Sequence, residues 1–133
     1  MEMPNFFLLM HLYAVKVRVE NLSPKLSRAL QKHWKSFPEG TRTRDGSLGR
    51  FHEGAAYIAL SSGMTIIPTA IIGSYRVFPH SQKLPQARDR ATGQRYRVTV
   101  CFCPEVQTAG RSEREITEEI RRAIAEKLDS AGV

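Results

Sequence analysis

Hydrophobic positions in this chain change their period several times, and each change marks an element. Residues 5–20 begin apolar and pass into Val15-Lys16-Val17-Arg18-Val19-Glu20, the alternation of a half-buried strand. Ser23-Pro24 predicts a helix start, a cap followed by proline at the first helical position. Leu26, Ala29, Leu30 and His33-Trp34 form the apolar side of that helix, and Phe37-Pro38-Glu39-Gly40 breaks it. A polar, Arg-rich loop follows over 41–50. A second helix is predicted from about Glu53 to Ser62, with Ala56, Ile58, Ala59 and Leu60 inside and Gly63 ending it.

The run Thr65–Ile72 is apolar on both faces, as expected of a strand buried in a parallel sheet. Pro68 has no N–H to give a ladder, which places an edge, a bulge or a strand end there. Residues 74–95, with two prolines and five basic side chains, read as a long basic loop. Tyr96, Val98, Val100 and Phe102 then alternate with Arg97, Thr99, Cys101 and Cys103, a strand with one apolar face that stops at Pro104. In the last helix Ser112 and Glu115 form an S-x-x-E capping box, and Ile116, Ile120, Ala123, Ile124 and Leu128 make one stripe. Glu118 and Arg122 are spaced as a supporting pair. This succession reads as α/β, a mixed, mostly parallel sheet with flanking helices.

Length and charge narrow the picture. A chain of 133 residues suits one domain and buries enough surface to need no metal or disulfide staple. Its 41% hydrophobic and 25% charged residues argue against disorder. The apolar stretch Phe6–Val15 is half the length of a spanning helix, and Glu2 stands where a secretory leader is basic, so secretion is not expected. That stretch reads equally as a core strand or as a segment dipping into a membrane interface. The net charge is +7, concentrated as +9 over residues 25–97. Fourteen of the twenty basic residues are Arg, whose planar fork matches phosphate and carboxylate. Nucleic acid, an anionic membrane surface and a phosphorylated small substrate are the partners such a segment selects. Cys101 and Cys103, two apart in a strand, are poorly placed for a mutual disulfide and fit buried thiols better than half a metal site.

The most specific string is Phe37-Pro38-Glu39-Gly40-Thr41-Arg42, followed by Arg44-Asp45-Gly46. Pro38 fixes one dihedral and Gly40 permits a turn closed to other residues. Glu39, Thr41 and Arg42 would then share a rigid bend, with Arg44 and Arg50 nearby, able to grip a polyol phosphate, with Arg on the phosphate and Glu accepting from a hydroxyl or orienting the Arg. A surface turn with solvated charges fits the spacing as well.

Phe37–Arg42 resembles the F-P-E-G-T-R motif of the glycerophospholipid acyltransferase family, which includes lysophosphatidic acid acyltransferases. The family continues with F-x-x-G-A before a helix and an apolar strand carrying V-P, similar to Phe51-His52-Glu53-Gly54-Ala55 and Ile67-Pro68 here. The resemblance covers about residues 37–128, so 37–133 is expected to be an acyltransferase-like domain and 1–36 a segment that does not match. It implies acceptor binding by Glu39, Gly40, Thr41 and Arg42, to which the reading of the loop adds Arg44, with Pro68 on the active-site wall. It implies a lysophospholipid or glycerol-phosphate acceptor and an acyl-CoA or acyl carrier protein thioester as donor, with no cofactor. It further implies a cytoplasmic protein, peripheral on the inner face of an anionic membrane.

The family's H-x-x-x-x-D pair, in which the His is general base and the Asp orients it, has no counterpart. His11, His33, His52 and His80 are followed five positions on by Lys16, Pro38, Tyr57 and Pro85. The expectation is a truncated or rearranged acyltransferase that keeps the acceptor-binding half and assigns no catalytic residue. His33 and His52 flank the motif as substitute bases or, more simply, as solvated side chains. The alternatives are a non-catalytic phospholipid- or anion-binding protein and a nucleic-acid-binding module. The basic segment lacks the interleaved aromatics of the latter, so no nucleic acid is expected.

Overall fold

A computed structural model describes residues 36–132. The strand expected over 15–20 and the helix expected from Ser23 lie outside these residues. The described part runs α1 (Gly54–Ser62), β1 (Thr69–Ile72), α2 (Ser74–Val77, one turn), β2 (Thr99–Phe102) and α3 (Glu113–Ser130).

α1 ends where its composition says it should. Gly63 takes a left-handed conformation at φ 66°, and the Met64 N–H reaches back to the Ala59 carbonyl at 2.8 Å. The buried side chains of α1 are Ala55, Ala56 and Ala59, with Ile58 and Leu60 only half-buried. Small side chains let the α1 backbone approach α3, whose Ile116, Ile120, Ile124 and Leu128 fill the space between them. Phe51, Met64, Ile66, Ala70 and Val106 complete this core. α3 starts with the expected box: the Ser112 hydroxyl accepts the Glu115 N–H, and the Glu115 carboxylate accepts the Ser112 N–H at 2.9 Å. Glu118 pairs one turn back with Arg114, at 3.0 Å, rather than forward with Arg122.

β1 is buried, as its doubly apolar sequence requires, but it pairs antiparallel with β2, Thr69 opposite Phe102 and Ile72 opposite Thr99. No parallel pairing is found among the described residues. Burial on both faces dictates apolar composition, not strand direction. The connection between β1 and β2 holds one helical turn and the hairpin in which Arg88 pairs with Arg95, with no crossover helix. The pairing slips by one residue near Pro68. Ile66 bridges Val106 while Thr69 faces Phe102, so three steps on one side oppose four on the other. Pro68, which cannot donate, sits at that slip and accepts the Cys103 N–H at 2.8 Å.

The apolar face of β2 points outward. Val98, Val100 and Phe102 are exposed, while Cys101 is half-buried and Cys103 buried. The Cys103 Sγ lies 3.6 Å from the Ala123 carbonyl, and burial pushes its thiol pKa up.

Candidate functional site: a pinned arginine-rich bend

The bend at Phe37–Gly40 is a β-turn. The Gly40 N–H donates to the Phe37 carbonyl at 3.0 Å, with Pro38 and Glu39 in the centre. Gly40 has φ 69°, a left-handed conformation that favours glycine, and the His52 imidazole lies beside it. The His52 N–H closes the other side on the Pro38 carbonyl at 2.7 Å.

From this turn the side chains diverge. Glu39 is 7% exposed and turns inward, where its Oε2 accepts the Gly49 N–H at 2.9 Å. A Cβ at residue 49 would come 2.8 Å from that oxygen, so a larger residue there would make the carboxylate shift. Arg42 lies over the Phe78 ring, 4.3 Å from its centroid, and its Nη1 donates to the Pro79 and Gln82 carbonyls at 3.3 and 3.2 Å. The remaining N–H groups of the guanidinium stay available to an anion. Thr41 and Arg44 are exposed.

Asp45 organises the tip of the loop. Its Oδ1 accepts from the Ser47 hydroxyl at 2.6 Å, the Ser47 N–H at 3.0 Å and the Thr43 hydroxyl at 3.2 Å. These bonds, those from Ser47 foremost, hold its carboxyl below the usual range. Tyr75 donates to the Arg44 carbonyl at 2.9 Å and packs against Gly46, whose φ is 90°. Arg121 of α3 donates to the Gly49 and Leu48 carbonyls at 3.0 and 3.2 Å. The loop is thus held at four points, while Gly40, Thr41, Arg44, Arg50 and His52 stay exposed. A cleft of about 630 Å³ opens where it meets α3, lined by Arg50, Phe51, Arg114, Thr117 and Arg121 among others.

Of the six residues the sequence singles out, five lie in this bend and Pro68 does not. Its ring is fully buried at the head of β1. Within the bend, Glu39 supports the backbone, Arg42 is shared with the 78–82 segment, and Gly40, Thr41 and Arg44 face outward. Tyr75, Phe78 and Arg121 were not foreseen, because nothing local marks a residue that acts 31 or more positions away. Among the described residues no group of three His, Cys, Asp or Glu is arranged to hold a metal ion. Exposed guanidinium groups beside a hydroxyl on a fixed backbone suit an oxyanion ligand.

Comparisons with known proteins point to one family. The Acyltransferase family model matches residues 14–72, a span that overlaps the sequence resemblance over 37–72 and also takes in 14–36. A chloroplastic 1-acyl-sn-glycerol-3-phosphate acyltransferase of Arabidopsis thaliana is 42% identical over 43 residues, covering 32% of this chain and 12% of that protein. The chloroplastic 1-acyl-sn-glycerol-3-phosphate acyltransferase of Brassica napus is 44% identical over 43 residues, with the same coverage. A probable 1-acyl-sn-glycerol-3-phosphate acyltransferase of Mycoplasma pneumoniae is 35% identical over 69 residues, half of this chain and 24% of that protein. The matches span between about an eighth and a quarter of these relatives' length. No solved structure matches. The F-P-E-G-T-R bend and these matches together make part of the chain similar to the glycerophospholipid acyltransferase family.

Proposed function

We propose that this chain supplies the acceptor-binding part of an O-acyltransferase acting on a lysophosphatidate-like glycerol phosphate. The donor is an acyl thioester on CoA or acyl carrier protein. The acceptor hydroxyl attacks the thioester carbonyl, the ester C–O bond forms, the C–S bond breaks and the thiol leaves with the proton. The observation that carries this reading is the bend itself, which keeps Thr41, Arg42 and Arg44 on a backbone pinned by Glu39 and Arg121. A preorganised donor cluster binds phosphate with little ordering cost. Because such acceptors reside in a bilayer, the site would meet them from an anionic membrane surface, on the cytoplasmic side. The names of the relatives support the acceptor class.

Titration with glycerol 3-phosphate tests the site. Arg42→Ala should weaken binding by roughly 1.5–3 kcal/mol, the worth of a hydrogen bond to a charged group. Arg44→Ala should also weaken it, and its side chain makes no bond whose loss would loosen the loop among those described. Unchanged affinity in both variants would remove the site. With no H-x-x-x-x-D pair in the sequence, the chain alone should release little thiol from an acyl thioester in the presence of lysophosphatidate. Turnover comparable to a complete enzyme would overturn that expectation. The same missing pair favours, as a second reading, a protein that binds phospholipid without chemistry. Thioester release after restoring a His–Asp pair in trans would separate the two.

A further inference from the structure

We infer that Phe78 and the Pro79 and Gln82 carbonyls are positioning groups for Arg42, fixing its guanidinium so that the Nε–Nη2 edge receives the acceptor's phosphate. The inference rests on the acceptor-site reading above and adds to it residues that lie outside the F-P-E-G-T-R bend. The Arg42 Cζ lies 4.3 Å from the centroid of the Phe78 ring, so one face of the guanidinium plane is covered. An aromatic face attracts the cation and keeps water from that side. Nη1 carries two protons and meets two carbonyl oxygens, Pro79 at 3.3 Å and Gln82 at 3.2 Å. That nitrogen is spent, and with it the end-on pair formed by Nη1 and Nη2. The Nε–H and the Nη2–H beside it lie parallel along the remaining edge, the fork that takes two oxygens of one phosphate. Among the described residues no acceptor takes either of them.

The frame around Arg42 is built by its own backbone bonds. Phe78 closes α2, its N–H donating to the Ser74 carbonyl at 3.0 Å. Pro79–Gln82 is a β-turn, since the Gln82 N–H donates to the Pro79 carbonyl at 3.0 Å, with His80 and Ser81 in the centre. Beyond it the Gln86 N–H returns to the Val77 carbonyl at 2.8 Å, so the segment is tied at both ends. Pro79 thus accepts twice, once from its own turn and once from Arg42, 37 residues away. A long side chain loses rotamer freedom when it grips a ligand, and here that loss is met in folding. Arg121 supplies the contrast. It spends its Nε and Nη2 on the Gly49 and Leu48 carbonyls, the edge that Arg42 keeps open, and so acts as a brace.

Titration of the full chain with inorganic phosphate and with glycerol 3-phosphate, followed by NMR of the Arg42 guanidinium, tests this. In the parent chain either ligand should shift the Nε–H resonance strongly and the Nη1 protons little. Phe78→Leu keeps apolar bulk without an aromatic face, and should weaken glycerol 3-phosphate binding roughly fivefold. Phe78→Tyr keeps the face and should restore the parent affinity. In an Arg42→Ala background Phe78→Leu should change nothing further, because its effect passes through the guanidinium. Circular dichroism shows that each variant is folded, and the resonances of the parent chain decide the matter where one is not. Phosphate that shifts the Nη1 protons and leaves the Nε–H unmoved would overturn the proposal. So would equal losses from Phe78→Leu with and without Arg42, or a Phe78→Tyr variant as weak as Phe78→Leu. Parent-like binding by Phe78→Leu would also overturn it, and would leave the acceptor site standing. Inorganic phosphate bound at the Nε–H edge as tightly as glycerol 3-phosphate would support the fork and count against the glycerol-phosphate reading. Binding of neither ligand would overturn both.

Discussion

The loop over 37–50 and the hairpin over 87–96 are both polar and Arg-rich, yet among the described residues only the loop takes side-chain bonds from distant elements. The hairpin is closed by its own residues: the Asp89 N–H meets the Gln94 carbonyl at 2.8 Å, Gly93 turns at φ 70°, and Arg88 reaches the Gly93 carbonyl at 3.0 Å. The bend adds to its own bonds, from Glu39 and Asp45, others that come from outside, from Tyr75, the 78–82 segment and Arg121. A local turn can keep its shape when the rest of the domain loosens. The bend is only as rigid as the packing of α3 and the segment after β1, so its fixed donors come at the cost of dependence on the whole fold.

The largest effect should come from Glu39→Ala. It leaves the Gly49 N–H without its carboxylate acceptor in a mostly buried place and should cost about 2 kcal/mol in urea unfolding. It should also lower glycerol-phosphate affinity while hydrogen exchange in the hairpin stays as it was. Arg121→Ala removes two bonds to the Leu48 and Gly49 carbonyls, and about 1 kcal/mol of stability should go with them. Amide exchange should quicken at 47–50, and equal quickening at 87–96 would break the contrast. Asp89→Asn should reverse the pattern: faster exchange at Ala91 and Thr92, with the amides of 40–49 unmoved.

The smallest effect is one of pH. Asp45 and Asp89 both have carboxyl pKa values lowered below 3.8, Asp45 chiefly by the Ser47 bonds and Asp89 by the Thr92 and Ala91 N–H groups. A lowered folded-state pKa gives stability that is fully present above the unfolded value and lost as pH falls through the folded one. Both turns should therefore hold at pH 5 and loosen below about 3.8. The amide resonances of Ser47 and Thr92 would report the titrations, and Asp45→Asn should abolish the first alone.

Elements whose causes are local were legible in the chain. The Ser112–Glu115 box, the end of α1 at Gly63 and the turn at Pro38–Gly40 depend on residues within a few positions, and each is found in place. The alternation of Val98, Val100 and Phe102 correctly separated two faces of a strand, but alternation carries no sign, and the apolar face is the open one. The pairing direction of β1 was not legible either, since any strand covered on both sides reads as an apolar run. In the bend, the sequence placed Arg42 on a phosphate, with Glu39 beside it accepting from a hydroxyl or orienting the guanidinium. The structure sends Glu39 inward to Gly49 and lays Arg42 on Phe78, because each finds partners through folding that spacing does not encode.

By itself, then, the chain determined its turns, its caps and its amphipathic last helix, all set by dihedral preference and short-range bonding, and it carried the motif that resembles the acyltransferase family. Which side chains of the bend face outward, which only brace the loop, and which face of β2 stays open were decided by tertiary structure. These outcomes depend on the distances at which separate elements come to rest, and covalent order along the chain does not specify them.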